Sequence, residues 1–380
     1  MKESILIVGA GPTGLTAALV LAKRGLKPKI IDKRREPIST SNALAIQPGT
    51  LELWEKLGLI DDALAMGHPL HGMTITNGKK LMGQITTDSL PTKYPFVLAL
   101  PQVKTEKLLT KHLEELGVHI ERGVTLESLQ EKDGFVEVTC NGEKNRYAWV
   151  IGCDGAKSVV REYTGIPFRG NEMPQHFIMA DLQIEWEKDA DRGHVFYSND
   201  GPIAFFPLDD KGYGRLIFEV TQDKRLKTET QPTFDDFKQL MQQRCDIPAK
   251  LSTPSWISSF WIHSRIVDNY RKGRLFLAGD AAHLHSPFGG QGLNTGVRDA
   301  AFLADLLADV IEGKRSSAAL NDYNTIRRKV GKGVVERTEL MTKLITTTSP
   351  LVRRLRNAFF TVALKVPFIR KKAMLSMSQL

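Results

Sequence analysis

The chain has 380 residues, 42% of them hydrophobic and 25% charged, which is enough for one large or two ordinary domains with full cores. Its three cysteines, Cys140, Cys153 and Cys245, are odd in number and widely spaced. They give no sign of a disulfide framework or a zinc site and fit a reducing cytoplasm. The net charge of +9 has to be located before it means anything: residues 327–380 hold 13 Lys and Arg against 2 Asp and Glu, leaving 39 against 41 before them. The body is near neutral, so no nucleic-acid partner is expected, and only the tail is basic.

Ser4 to Gly9 reads as a buried strand, followed by Gly9-Ala-Gly11-Pro12-Thr13-Gly14, a helical repeat of Leu15, Ala18, Leu19 and Ala22, and a second strand ending at Asp32. The glycines interrupt what would otherwise resemble a signal-peptide core, and no export signal is read. The unit is a complete βαβ dinucleotide fingerprint. Gly9 makes the tight turn, Gly11 lets a pyrophosphate approach, Gly14 packs the helix, and Asp32 meets a ribose hydroxyl. Lys33 and Arg34 follow, but Asp32 would repel a 2′-phosphate.

Leu51–Leu57 is expected to be a short helix stopped by Gly58, and a longer one starts at Gln102. Val136, Val138 and Cys140 alternate as a strand, turn at Asn141-Gly142 and return through Tyr147 to Ile151. Asp154 and Arg161 then stand in CDGAKSVVR, at the end of a buried strand. Residues 176–264 change to aromatic-rich alternating segments with one helix from Phe234 to Gln243, read as an inserted antiparallel sheet. In GRLFLAGDAAHLHSPFGGQGLNTG (273–296), a strand delivers Asp280 to the binding edge, and a glycine turn with Gly290 opens a helix at Gly292, Leu293 and Asn294. Free N–H groups and the positive end of the helix dipole predict an electron-rich or anionic ligand there. His283 and His285 lack a third partner, so no metal is assigned.

Beyond Ser317 the chain is expected to be helical. Leu351, Leu355, Ala358, Phe359 and Val362 share one helical face, with Arg353, Arg354 and Arg356 on the other. Either the apolar face packs inward and the basic face is solvated, or the helix lies on a membrane surface. The packed reading is the simpler. Ala358–Val366 is too short to span a bilayer.

Together GAGPTG, CDGAKSVVR and GRLFLAGDAAHLHSPFGGQGLNTG resemble the single-component flavoprotein aromatic hydroxylases, the group that contains para-hydroxybenzoate hydroxylase. The likeness is greatest to its phenol- and polyketide-hydroxylase branch, without the thioredoxin-like domain. The resemblance implies an α/β fold: a Rossmann-like FAD-binding domain of glutathione-reductase type with an inserted antiparallel substrate sheet and C-terminal helices. The expected divisions are 1–70, 99–175 and 265–320 for FAD, 71–98 and 176–264 for substrate, and 321–380 for the helical end. It implies that Gly9, Gly11, Pro12, Thr13 and Gly14 seat the FAD pyrophosphate, Asp32 the adenosine ribose, and Gln102 and Asp280 the ribityl chain. Gly290, Gly292, Leu293 and Asn294 would face the flavin, with Pro287 on its ring-stacking side, and Asp154 and Arg161 near flavin and nicotinamide. Members commonly carry Arg where Asn42 and Gly49 stand and Glu at Asp32, leaving Lys33, Arg34 and Arg35 as substitute cations.

The implied activity is hydroxylation of an aromatic or polycyclic small molecule with NADH or NADPH and O₂ through a flavin C4a-hydroperoxide. A helix dipole at the pyrimidine end favours the anionic reduced flavin that reacts with O₂. No second nucleotide unit appears, so the nicotinamide is expected to bind transiently. For substrate contacts the alternating strands suggest Phe205, Pro207, Phe218 and Trp261, with His263 as acid or base toward a phenol. The alternatives are a peripheral-membrane hydroxylase of a quinone-like lipid, an FAD-linked reductase or halogenase of the same fold, and a non-catalytic flavin-binding scaffold. A cytoplasmic protein is expected, with weak membrane-surface contact through the basic C-terminal helix as the open question.

Overall fold

Ile5–Val8 is buried along its whole length and lies inside a sheet ordered Arg271–Lys272, Leu275–Leu277, Trp149–Gly152, Ile5–Val8, Lys29–Asp32, Ile120–Arg122. Every pairing is parallel except the one to the edge strand Arg271–Lys272. Such a sheet needs apolar cover on both faces, which is why Ile-Leu-Ile-Val and Leu-Phe-Leu run apolar without alternation. The structure, a computed structural model, describes residues 4–223, 225–226, 231–245 and 248–380.

The helices among the described residues are α1 (Pro12–Lys23), α2 (Pro48–Lys56), α3 (Ile60–Met66), α4 (Gln102–Glu115), α5 (Val159–Thr164), α6 (Phe234–Arg244), α7 (Gly292–Ile311), α8 (Asn321–Ile345), α9 (Pro350–Ala363) and α10 (Pro367–Ser378). α1 and α7, the two helices that follow glycine turns, pack side by side. Arg24 ties their ends together through Asp309 at 2.7 Å and Glu312 at 2.8 Å.

A long sheet runs beside this layer in the order His283–Leu284, Trp256–Val267, Phe168–Glu185, Tyr213–Glu219, Gly201–Pro207, Gly193–Ser198, Gly72–Asn77, Lys80–Thr86. It starts at Phe168, earlier than the His176 expected from composition, because Phe168–Glu172 already pairs with His263–Val267. The stretch Glu143–Ile151, expected as one strand, is two. Glu143–Tyr147 closes a three-stranded antiparallel sheet through a turn with Asn141 and Gly142 at φ 47° and 81°, and Trp149–Gly152 then joins the parallel sheet.

One face of the long sheet is roofed by α6: Ile178, Leu182, Phe205, Leu216 and Phe218 pack with Phe237 and Leu240. Phe177, Ile217 and Phe260 turn to the other face and meet Phe288 of the loop before α7. Val195 and Tyr197, on that same face, meet α9 and α10 through Phe360, Leu364 and Met377.

The C-terminal helices correct one expectation. Leu351, Leu355, Phe359 and Val362 point into solvent, while Arg356 is 5% exposed. Arg356 turns inward because it donates to the Ile345 carbonyl at 2.6 Å and lies over the Tyr197 ring at 4.3 Å. Those bonds satisfy a cation that helical periodicity alone would leave in water.

Candidate active site

The glycine turn after the first strand is built by close backbone approach. A Cβ on Gly9 (φ 102°) would sit 2.3 Å from the Cys153 carbonyl oxygen, and one on Gly14 would sit 1.9 Å from the Gly9 carbonyl oxygen. Gly11 is different: a Cβ there would meet nothing within 4 Å, and its φ of −77° is open to any residue. Nothing in the protein demands glycine at 11, so its small size suits a ligand against the start of α1. Cys153 is buried between the two tight glycines as a small apolar side chain, with its thiol pKa pushed well up by burial.

Asp32 lies at the end of the second strand, buried to 5%. It accepts from Ala10 N at 2.8 Å and Arg34 N at 2.8 Å, and pairs with the Arg34 guanidinium at 3.1 Å. Burial works to raise its pKa, but Arg34 and the two backbone N–H groups outweigh that and hold the carboxylate below its usual range. Arg34 is thus spoken for by Asp32, while Lys33 is exposed.

Gln102 staples α4 to the 41–43 loop: its backbone N–H donates to Ser41 Oγ at 2.6 Å, its side-chain Oε1 accepts from Ala43 N at 3.3 Å, and its side-chain Nε2 donates to Glu106 at 3.0 Å. Glu106 is a buried carboxylate beside Gln102 that reading the sequence missed. It is 3% exposed, its Oε2 has no hydrogen-bond partner among the described residues, and burial raises its pKa, with the Gln102 amide partly offsetting this. Its only signal was a carboxylate at i+4 from Gln102, on the helix face that also carries Leu109 and Leu113.

Asp154 and Arg161, expected near flavin and nicotinamide, both make structural bonds within the protein. The Asp154 carboxylate accepts from Ser158 Oγ and from the N–H groups of Val159 (2.7 Å) and Val160 (3.1 Å), so it caps α5. Arg161 donates to the Ala281 and Ala156 carbonyls at 3.0 and 2.7 Å and stacks on Phe168 at 4.1 Å. It fastens the CDG turn to the loop after Asp280. Thr13 is likewise a packing residue, wedged where Cβ atoms on Gly279 and Gly296 would come within 2.5 and 2.6 Å of its hydroxyl.

Asp280 opens to solvent at its tip but is set in a low-dielectric wall, so desolvation raises its pKa and His283 draws it partly back. Past it, Pro287 is exposed, and Gly289 and Gly290 take φ of 79° and 60° to enter α7. Asn294 is fully buried and holds the Ala45–Gln47 segment, accepting from Gln47 N at 2.8 Å and donating to the Ala45 and Gly290 carbonyls at 2.7 Å each. The first backbone bond of α7 is Thr295 N to Gln291 O, at 2.8 Å. The N–H groups of Gly292, Leu293 and Asn294 therefore precede the helix ladder with no acceptor among the described residues. Twenty residues of helix stand behind them.

His285 lies against this helix start, its ring 3.7 Å from where a Gly292 Cβ would be. Burial, reinforced by His283, lowers its pKa to about 4, so it is neutral at physiological pH. The unfolded chain takes a proton on this ring below about pH 6.5 and the folded chain does not, so stability falls as pH drops through that window. We expect a loss of up to about 2 kcal/mol between pH 7 and 5, flattened in His285→Gln. Urea midpoints at the two pH values read it. His283 is held apart from any ligand role by Asp299, 2.7 Å away.

The four expected substrate residues all lie on the far side of the sheet. Phe205 and Phe218 are core under α6, with Phe218 edge-on to Phe237 at 5.7 Å. Pro207 shares their parity, and Trp261 is 49% exposed, stacked on His176 at 4.4 Å. His263, two residues on, faces Glu172 at 3.7 Å. The error is one of parity, since adjacent strand residues face opposite ways. Phe206, Ile217 and Phe260, each next to a misplaced choice, are half-buried on the side toward Phe288. We expect Phe218→Ala to cost about 3–5 kcal/mol of stability with little change in substrate KM. Phe206→Ala should cost less stability and raise KM several-fold. Thermal unfolding and steady-state kinetics on the pair separate the two faces.

Arg215 lies on that same inner side, fully buried, paired with Asp181 at 2.8 and 3.0 Å and reaching the Asn42 carbonyl at 3.4 Å. It is a cation that the alternation hid. Arg298 stands where an arginine at 49 would have been: a Gly49 Cβ would come 2.3 Å from its Nη1. A cavity of about 290 Å³ lined by Gln175, Glu219, Thr221, Lys343 and Thr346 shares none of the motif residues.

A protein-family model described as "FAD binding domain" matches residues 2–338, so the chain belongs to that family and FAD is its cofactor. It is 36% identical over 368 residues to a 6-methylpretetramide 4-monooxygenase of Streptomyces rimosus, covering 95% of this chain and 64% of that protein. It is 32% identical to pentachlorophenol 4-monooxygenase of Sphingobium chlorophenolicum, covering 90% and 65%. The chain thus spans just under two thirds of the length of these relatives. Among solved structures, p-nitrophenol 4-monooxygenase from Pseudomonas putida superposes with TM-score 0.86 at 25% identity over 99% of this chain and 98% of its own. Anhydrotetracycline hydroxylase of Streptomyces rimosus gives 0.82 at 30% identity, over 99% and 76%. The fold is that of the FAD-dependent aromatic hydroxylases.

Proposed function

We propose that this chain is an FAD-dependent monooxygenase that uses NADH or NADPH and O₂ to hydroxylate an aromatic or polycyclic small molecule. The observation that carries the reading is the start of α7, where the N–H groups of Gly292, Leu293 and Asn294 have no acceptor among the described residues and Phe288 of the preceding loop packs on the half-buried apolar face of the sheet. FAD held by the Gly11 cradle, Asp32, Glu106 and Asp280 supplies the electron transfer and oxygen activation that no side chain can. The chain's own part is position, field and exclusion of water. The α7 N-terminus would favour negative charge on the flavin if it lies against it, and His285, kept neutral, would add hydrogen-bonding capacity without a competing positive charge. Phe206, Ile217 and Phe260, half-buried on the face that Phe288 packs against, offer flat apolar contact for an aromatic ring. Relatives named for tetracycline-type, rifampicin and chlorophenol oxygenation support a ring-bearing substrate.

Anaerobic mixing of the yellow protein with NADH or NADPH tests the reading. Flavin bleaching that accelerates with one member of a panel of phenols and polycyclic aromatics is the expected result. No reduction by either nicotinamide, with or without any such compound, overturns it in favour of a flavoprotein with another donor. We place the protein in the cytoplasm on its three widely spaced cysteines, which fit a reducing compartment; separately, among the described residues no helix is long and apolar enough to cross a membrane.

A further inference from the structure

α9 carries two stripes. Arg356, Phe360, Ala363 and Leu364 face inward onto Tyr197 and the Lys80–Thr86 strand, where a Gly83 Cβ would touch Leu364 at 2.7 Å. Leu351, Leu355, Phe359 and Val362 face outward and are 66%, 62%, 64% and 66% exposed. Just past the break at Pro367, Phe368 and Ile369 of α10 are exposed as well, at 73% and 41%. Scattered apolar residues on a surface are ordinary, but a run of six large ones along two consecutive helices marks a surface built to be covered.

Charge decides what covers it. Residues 343–372 contain eight Lys and Arg and no Asp or Glu, and Arg354, Lys365, Lys371 and Lys372 are exposed around the stripe. In a second copy the same segment would offer no carboxylate to these cations. We propose that this face of α9 and α10 docks in the headgroup layer of a bilayer containing anionic lipid, with the apolar stripe at the acyl boundary and the cations among the headgroups. Fourteen residues of α9 give about 21 Å of helix, lying flat rather than spanning. The docked face is the outer side of the helices that pack on the substrate sheet, so the hydroxylase site would be held next to the membrane. The inference rests on the helices alone and stands whether or not the chain hydroxylates.

The test is co-sedimentation of the FAD-loaded protein with vesicles of phosphatidylcholine alone and with phosphatidylglycerol as a third of the lipid. Binding to the anionic vesicles, weakened about ten-fold or more by raised salt and on the neutral ones, is expected. F359S/F368S should bind the anionic vesicles at least about ten-fold more weakly while keeping its flavin and melting temperature, and Trp261→Ser, on the sheet's outer face, should bind like the parent. Absence of binding to either vesicle, or equal binding by F359S/F368S, overturns the proposal. So does light scattering that shows a dimer lost in F359S/F368S without any vesicle binding, which would assign the stripe to a second copy.

Discussion

Gly11→Val should leave the apo protein folded, with its melting temperature within about 1 °C of the parent, and raise the FAD dissociation constant by about 100-fold or more. The two halves of this expectation come from separate observations. The new side chain meets no protein atom within 4 Å of its Cβ, and the backbone at φ −77° accepts valine without strain, so the fold loses nothing. The same branched side chain stands over the N-terminus of α1, where backbone N–H groups must come within hydrogen-bond reach of a pyrophosphate. A loss of about 100-fold is about 2.7 kcal/mol, the scale of one or two displaced charge-assisted bonds. Gly14→Val is the contrasting case: its Cβ would overlap the Gly9 carbonyl oxygen at 1.9 Å, and both stability and flavin content should fall. Fluorescence titration with FAD and thermal scans of the two apo variants read both quantities. Unchanged FAD affinity in Gly11→Val would remove the cradle from the account.

Asp299→Ala should destabilise the protein by about 3–5 kcal/mol. Asp299 is wholly buried in α7, accepting from His283 at 2.7 Å on one oxygen and from Arg327 Nε at 2.7 Å on the other. Burial alone would raise its pKa, but Arg327 and His283 outweigh that and keep it ionised. Removing the carboxylate strands the Arg327 cation, 8% exposed, in α8, and the penalty is that of an unpaired buried charge rather than of a lost contact. At the usual entropy of unfolding per residue this is a fall of about 4–6 °C in melting temperature. D299A/R327M should recover part of the loss, because the stranded charge goes with it. Since the folded pKa lies below the unfolded one, the pair's stabilisation is complete above about pH 4 and is lost as pH falls through the folded value. A D299A protein as stable as its parent would mean that this buried group does not join α7 and α8 to the His283 turn.

What the sequence made legible follows the kind of signal each feature leaves. The nucleotide turn at Gly9–Gly14, the α7 start at Gly292 and the Asn141-Gly142 hairpin could be read because glycine spacing and apolar period leave few backbone solutions. Side-chain destinations could not. Asp154 and Arg161 have the right chemistry for ligands, but Asp154 is consumed in capping α5 and Arg161 in fastening two loops. Strand parity was equally hidden: Phe205 and Phe206 are both aromatic, and only the roof of α6 over Phe205 decides which faces the site. Glu106, Arg215 and Arg298 became visible only when distant segments met. The stripe on α9 was read correctly as a stripe and wrongly as buried, because amphipathicity names two faces without saying which has a partner.

The most direct test of the account is turnover of the full enzyme under ¹⁸O₂ with NADPH or NADH and the compound that most accelerates flavin reduction, followed by mass spectrometry of the product. One ¹⁸O atom on an aromatic carbon of the product is the result the account predicts. Nicotinamide consumption that yields only hydrogen peroxide with every aromatic compound tried, or a product whose new oxygen derives from water, would contradict it.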